Sequence, residues 1–411
     1  MITLLTLVIA GEIVFFLPFL LPRIFRPTML VVFDISNVQL GAFFSAYGVI
    51  AMLSYAFGGP LADRFSAKRL MAVALWLTAM GGVFIAFIPS PAWLVVIYGF
   101  WGFTTIFLFW AAMIRATREW GGPMHQGRAF GWLEGGRGLV AAILGTLTWL
   151  VFAQLSIDEE ALAVTQSRFQ PFQKVIFVTS LLTALTGWLV WTFIPDNKEK
   201  LEREPHDIVL RKIGRLVRMS TVWSLAIIII CAYSGYKITD DFSLYAREVL
   251  GFSEIAAAAT GVSALWLRGI VAIVTGLLAD RLNKTNMISA CFALSLSGGL
   301  LTGLGVLEWS TLLVLLNMTA LATGIYAIRA LYFAVLREAG IPLTLTGTAV
   351  GIVSFLGYTP DVFMSPWMGH LLDNYPGETG HRYVFIVLAG FGFIGLITSM
   401  FFRRFSGTQE I

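Results

Sequence analysis

Gly59-Pro60-Leu61-Ala62-Asp63-Arg64 and, 217 residues further on, Gly276-Leu277-Leu278-Ala279-Asp280-Arg281 are two copies of one hexapeptide, Gly-x-Leu-Ala-Asp-Arg. Each closes an apolar run, and basic residues follow both, Lys68 and Arg69 in one copy and Lys284 in the other. The separation is about half of the 411-residue chain, which marks a two-half repeat. Glycine at such a turn lets backbones approach closely, an Asp receives helix amino-terminal amides, and an Arg answers a carbonyl end or a neighbouring carboxylate. Gly59, Asp63, Arg64, Gly276, Asp280 and Arg281 are therefore expected to be gating machinery, with the binding site elsewhere.

The runs that the hexapeptides close decide the solvent. Hydrophobic residues make up 57% of the chain and charged ones only 13%, with a mean hydropathy of +0.80, which excludes a water-soluble domain. Runs of about 20 apolar residues recur, each long enough to cross about 30 Å of hydrocarbon as a helix. A membrane β-barrel needs strands of alternating polarity, whereas 225–232 and 384–396 are apolar on every face. Met1 to Leu21 has neither the basic start nor the cleavage site of a signal peptide, so it reads as the first spanning helix. Cys231 and Cys291 lie inside apolar runs and read as buried small hydrophobes.

Charged and Pro-rich breaks predict helices over 2–21, 38–59, 70–88, 92–115, 128–153 and 172–194, then 220–239, 255–278, 285–305, 310–335, 344–367 and 382–402. Residues 195–219 form the one long charged segment. Its second part, Arg-Lys-Ile-Gly-Arg-Leu-Val-Arg, is amphipathic and basic, as in a helix lying on an anionic leaflet. With that segment cytoplasmic, 17 Lys and Arg fall in loops and tail on its side against 6 opposite, which predicts that both termini are cytoplasmic. The expected organisation is an N-terminal six-helix bundle over 1–194, a linker over 195–219 and a C-terminal six-helix bundle over 220–411.

The repeated hexapeptide and its spacing resemble the signature loop of the major facilitator superfamily, and the resemblance spans essentially the whole chain. It implies an all-α integral membrane protein of twelve transmembrane helices in two pseudo-symmetric six-helix bundles, which rock around a central site to give alternating access. A weaker echo pairs Gly127 and Gly131 with Gly347 and Gly351 at an offset of 220. Gly127, Gly131, Gly135 and Gly138 form a small-residue stripe suited to a tight helix crossing. The stretch Ile114-Arg-Ala-Thr-Arg-Glu-Trp-Gly with Gln126-Gly-Arg-Ala-Phe-Gly resembles the join of helices four and five in the bacterial organophosphate and sugar-acid branch. That branch places substrate arginines in helices one and seven, where this chain carries Glu12 and Lys237.

Ionisable side chains inside spanning helices cost about 2.5–3.5 kcal/mol on insertion scales, so those present are expected to face a partner or a wet cavity. Glu134 and Arg137 are three apart and share a helical face, open to pairing or to substrate binding. Arg268 stands twelve residues before Asp280, near mid-membrane, and has no acid beside it in its own helix. Arg329 lies deeper toward the cytoplasm and Arg115 close enough to the interface to snorkel. Lys237, Asp240 and Asp241 close helix seven, where Gly235 is positioned to break the helix, and Tyr236 and Trp266 offer amphipathic contacts to a sugar-like body. The cationic excess in the core points to an organic anion, since a guanidinium fork matches carboxylate, sulfonate or phosphate. The expected substrate residues are Arg137, Lys237, Arg268, Arg329, Tyr236 and Trp266, and the expected proton-coupling acids are Glu12, Glu134 and Asp361.

The expected function is secondary active transport of a small organic anion across a bacterial inner membrane, coupled to protons. Anion exchange and drug export are rivals within transport; a membrane sensor or enzyme is the rival outside it. No Gly-x-Ser-x-Gly, His-Glu-x-x-His or phosphate-cradling lysine loop is present. Expected partners are the anionic substrate and membrane lipid, with a monomeric chain and no metal, cofactor or nucleic acid.

Overall fold

In lipid a helix closes its backbone hydrogen bonds within its own segment, so the apolar runs fold as helices. A computed structural model of the chain describes residues 1–122, 126–156, 165–196, 214–279, 281–332, 334–335, 338–341 and 346–406, and of 56–60, 62–63, 126–128, 130, 165–168, 346–348 and 405–406 the backbone alone. Among the described residues eleven helices are long and apolar enough to cross a membrane. In chain order, spans one to six run Ile2–Ile24, Asn37–Tyr55, Ala67–Ala86, Pro91–Gly121, Gly131–Leu155 and Phe169–Phe193. Spans seven to ten are Ser220–Glu248, Glu254–Ala279, Lys284–Gly303 and Thr311–Leu331, and span twelve is Glu378–Arg404. Span eleven is broken into Thr346–Gly357 and Pro360–Asn374.

The break corrects the continuous helix expected over 344–367. Pro360 has no amide hydrogen to give the Leu356 carbonyl, and its ring clashes there. Thr359 fills the gap: its hydroxyl donates to the Leu356 oxygen at 2.7 Å. Span seven is also irregular, but not at Gly235 as the sequence reading expected. The helix runs through Gly235 to Ile238, tightens to a 3-10 turn at Thr239–Asp241, and resumes over Phe242–Glu248.

Packing divides the chain into two compact units, Met1–Leu201 with Asp240–Gly269 and Ser365–Asp373, and Glu202–Thr239 with Ile270–Met364 and Asn374–Ile411. In the first, span three lies along span six, and span one lies against spans five and six. In the second, span nine lies along span twelve, and span seven against spans eleven and twelve. The same arrangement therefore occurs twice, and glycines explain why. Gly81-Gly82 and Gly298-Gly299 stand 217 residues apart, the offset of the hexapeptides. A Cβ on Gly82 would fall 2.2 Å from the Ser180 hydroxyl of span six. One on Gly299 would stand 3.1 Å from both the Phe385 oxygen and the Ala389 nitrogen of span twelve. Only hydrogen fits at such crossings.

Of the hexapeptides, the side chain of Asp63, the surroundings of Gly59 and all of Asp280 lie outside the described residues. Arg64 and Arg281 are exposed, and among the described residues nothing lies within 4 Å of where a Cβ on Gly276 would stand.

Candidate functional site

Two ionic clusters lie on the spans. The first, wholly within the first unit, is built on Glu12, a nearly fully buried carboxylate of span one. Arg268 of span eight donates to its Oε1 at 2.6 Å through Nη2, and Arg137 of span five places Nε 3.2 Å from Oε2. Arg137 also donates through Nη1 to Glu134 at 2.8 Å, and its guanidinium lies 5.5–5.6 Å from the Trp110 and Phe15 rings. Backbone crossing sets this geometry. Arg137 and Arg268 each precede a glycine, and a Cβ on Gly138 would stand only 3.2 Å from the Gly269 Cα. Spans five and eight thus touch backbone to backbone one residue beyond each arginine, which delivers both guanidiniums to one carboxylate. On span one, Gly11 leaves the space that the Arg137 side chain crosses, 3.3 Å from where a Cβ would sit. Of the expected glycine stripe the surroundings of Gly127 lie outside the described residues; among the other three only Gly138 makes such an approach, since a Cβ on Gly131 or Gly135 would meet nothing.

The second cluster lies within the second unit. Lys237 of span seven places Nζ 3.6 Å from Asp361 Oδ1 in span eleven, and the Tyr233 hydroxyl donates to both Asp361 oxygens at 3.0–3.1 Å. Arg329 of span ten stacks on Tyr236, with Cζ 3.6 Å from the ring centroid, and lies 5.3 Å from the Tyr233 centroid. The Tyr332 and Tyr358 hydroxyls meet at 3.3 Å beside it. Among the described residues no carboxylate comes within salt-bridge distance of Arg329, and its buried Nη1 has no hydrogen-bond partner. The two clusters are electrostatic mirror images: span one offers an acid to an arginine of span five, whereas span seven offers a lysine to an acid of span eleven.

A third set of buried charges was placed differently by the sequence reading. Arg23 and Arg26, counted there as loop residues, sit in short helices Leu21–Ile24 and Arg26–Val32 and are nearly fully buried. Arg23 meets Asp240 at 2.5 Å, and Arg26 meets Asp241 at 3.8 Å and the Asn37 side-chain oxygen at 2.8 Å. Asp373 accepts from the Asn37 and Val38 amides at 3.0 and 2.7 Å, so a carboxylate from span eleven caps the positive amino-terminal end of span two. These contacts latch the join of spans one and two to segments from the second half of the sequence, inside the first unit.

Arg115, expected to snorkel, is instead buried and paired to Glu119 at 2.7 Å, because a full helical turn separates the two on one face. Trp266 is partly exposed and donates its indole N–H to Thr146 Oγ1 at 3.0 Å, within the first unit. With these partners assigned, the broad cationic excess expected from the sequence narrows, among the described residues of the spans, to Arg329. What the sequence reading missed was that Glu12 answers Arg137 and Arg268 and that Asp361 answers Lys237, since these acids come from other spans than their cations. The Arg-Gly dipeptides at 137–138 and 268–269 were a legible signal for one such pair.

A helical membrane bundle with two matched halves and paired charges within its spans has the construction of a secondary transporter, not of an enzyme. The chain belongs to the Major Facilitator Superfamily, whose family model matches residues 2–358. Inner membrane protein YqcE of Escherichia coli is 29% identical over 90% of this chain and 87% of its own length. Inner membrane protein YihN of the same organism is 25% identical over 98% and 96%. Among solved structures, a bacterial homologue of the human lysosomal transporter Spinster superposes with a TM-score of 0.76 at 14% identity, over 99% of this chain and 97% of that one. The protein is thus a multi-pass membrane transporter with the major facilitator fold.

Proposed function

We propose that this transporter moves a small organic anion, a carboxylate, sulfonate or phosphate on a sugar-derived or comparable body, by proton-coupled alternating access. The observation that carries the reading is Arg329. It is a guanidinium on a spanning helix, stacked on Tyr236, with no acid beside it among the described residues and a buried Nη1 without a partner. Stacking fixes the plane of the fork and leaves its in-plane donors for a planar oxyanion. Lys237 lies in the same unit, where Asp361 neutralises it, so an anion arriving at Arg329 meets one uncompensated charge. Arg137 and Arg268, both tied to Glu12, then act as positioning residues.

Asp361 and Glu12 are the proposed coupling acids, with Glu134 beside Arg137 as an accessory group. Glu12 holds cations from two other spans and Asp361 one, so protonation would release them and loosen the helices concerned. Anion exchange is the second reading, favoured by the cations already paired with Glu12 and Asp361. Drug export asks for an acid-dominated site for cations, which the Arg329 surroundings do not offer. The moving bodies of the proposed cycle are the monomer's halves 1–194 and 220–411, with linker and termini on the cytoplasmic side, as the 17-to-6 distribution of basic residues supports.

Proteoliposome uptake tests this. Wild type is expected to accumulate an anionic substrate found by thermal-shift screening, and Arg329→Gln and Arg329→Lys to lose uptake, because lysine lacks both fork and plane. Uptake by Arg329→Gln at the wild-type rate, or stabilisation by lipophilic cations alone, would reject the anion site. Accumulation unaffected by an imposed pH gradient would reject proton coupling and leave exchange.

A further inference from the structure

The basic segment before span seven plays no part in the proposed transport site, yet it borders a groove. Val217, Val222 and Trp223 from the start of span seven, with Gly351, Ile352, Phe355 and Leu356 from span eleven, line a cavity of about 340 Å³. Every lining residue is apolar or glycine, and Trp223 and Phe355 are substantially exposed. The volume sits at the lower end of the roughly 300–1,000 Å³ usual for small-molecule sites. Two contacts hold the groove's entrance in shape: the Trp223 indole N–H donates to the Val217 carbonyl at 2.8 Å, and Leu216 is fully buried against the second unit's core. Gly351 forms an open wall, for a Cβ there would meet nothing within 4 Å.

Basic residues adjoin this apolar groove in sequence. Arg215 and Arg218 flank Val217 in sequence and are exposed, and among the described residues neither has a carboxylate within salt-bridge distance. The sequence adds Arg211 and Lys212 just before them, outside the described residues. Basic side chains at the end of a spanning helix lie at headgroup depth, where they attract anionic lipid and the apolar wall below accepts acyl carbon.

The geometry points to a binding site for an anionic phospholipid, with an acyl chain in the groove walled by Trp223, Gly351 and Phe355 and the headgroup phosphate on Arg215 and Arg218. Charge complementarity selects this occupant. A neutral chain segment would leave both guanidiniums unanswered, and a zwitterionic lipid brings its own ammonium to offset the phosphate, so its net attraction to two arginines is weaker. The site is independent of the substrate reading, because none of its residues belongs to either ionic cluster.

Native mass spectrometry of the full-length protein, titrated in detergent with phosphatidylglycerol and separately with phosphatidylethanolamine, reads the preference directly. Wild type is expected to hold phosphatidylglycerol more tightly, and each arginine removed to lower that affinity about 5-fold, about 25-fold for Arg215→Gln with Arg218→Gln. Gly351→Phe starts from a Cβ that meets nothing within 4 Å, places its ring in the groove, and should lose lipid of either headgroup with the arginines intact. Equal retention of both lipids by wild type would overturn the proposal, as would a preference that survives the double arginine change. Undiminished lipid on Gly351→Phe would overturn it too. The same holds if phosphatidylglycerol is not retained and Gly351→Phe lowers thermal stability, because the groove would then be filled by the chain's own linker.

Discussion

Removing the charge of Glu12 should uncouple three spans at once. In Glu12→Gln the side chain keeps its size but no longer answers Arg268 at 2.6 Å or Arg137 at 3.2 Å. Unit charges about 4 Å apart at an effective dielectric near 20 attract by about 4 kcal/mol, and breaking one partner of a buried pair costs about 3–5 kcal/mol. Two features reduce that figure here. The arginine side chains are 14% and 16% exposed, so water reaches them in part, and Arg137 keeps Glu134 at 2.8 Å. A loss of about 2–3 kcal/mol is the expected outcome, or a fall of about 4–6 °C in the thermal transition at roughly 2 °C per kcal/mol. The assay is a double-mutant cycle by thermal unfolding in detergent, with Glu12→Gln, Arg268→Gln and the pair. Because each single change strands the other's charge, the double variant should lose less than the sum of the singles by about 1.5 kcal/mol. Additivity within about 0.5 kcal/mol would refute the claim that Glu12 and Arg268 act on each other.

Gly82→Val and Gly299→Val should each lower yield and thermal stability, with a cost of at least about 1–3 kcal/mol for overpacking, whereas Gly131→Ala, with open space around it, should be neutral; unfolding midpoints compare the three. Arg23→Gln should cost about 3 kcal/mol by stranding buried Asp240, and Arg23→Gln with Asp240→Asn should cost no more than the single change; a larger loss in the pair would show that the two do not compensate each other. Outside the spans, a hydrogen bond from Arg382 holds the Glu308 carboxyl below the usual carboxylate range. A carboxyl with a depressed folded pKa contributes stability above its unfolded value near 4.3 and loses it as pH falls through the folded one, so the wild-type midpoint should drop more than that of Arg382→Gln between about pH 5 and pH 3.

Why some elements were readable and others not follows from the range of the interactions that make them. Span positions follow from local hydropathy, and eleven of the twelve expected helices are present with small shifts at their ends. The twelfth, over 344–367, was misread as continuous because hydropathy does not register what Pro360 does to the Leu356 carbonyl. The break was nevertheless written locally, in Thr359-Pro360. Arg23 and Arg26 were read as loop residues for a comparable reason: proline-bounded short helices look like loops, and the acids that bury these arginines lie more than 200 residues away. The pairing of Glu134 with Arg137 lay within one turn and was legible, whereas the grip of Glu12 on Arg268 was not.

By itself the sequence determined a membrane solvent, a two-half repeat and the class of transporter, because hydropathy, motif spacing and charge asymmetry are properties of the chain in one dimension. Only the tertiary structure decided which charges cancel. Helix crossings at Gly138 and Gly269 bring Arg137 and Arg268 to one acid, Asp361 reaches Lys237 across two spans, and Arg329 is left against Tyr236 without an acid among the described residues. A charge buried in low dielectric takes its character from neighbours within a few ångströms, and those neighbours are set by packing, not by position along the chain.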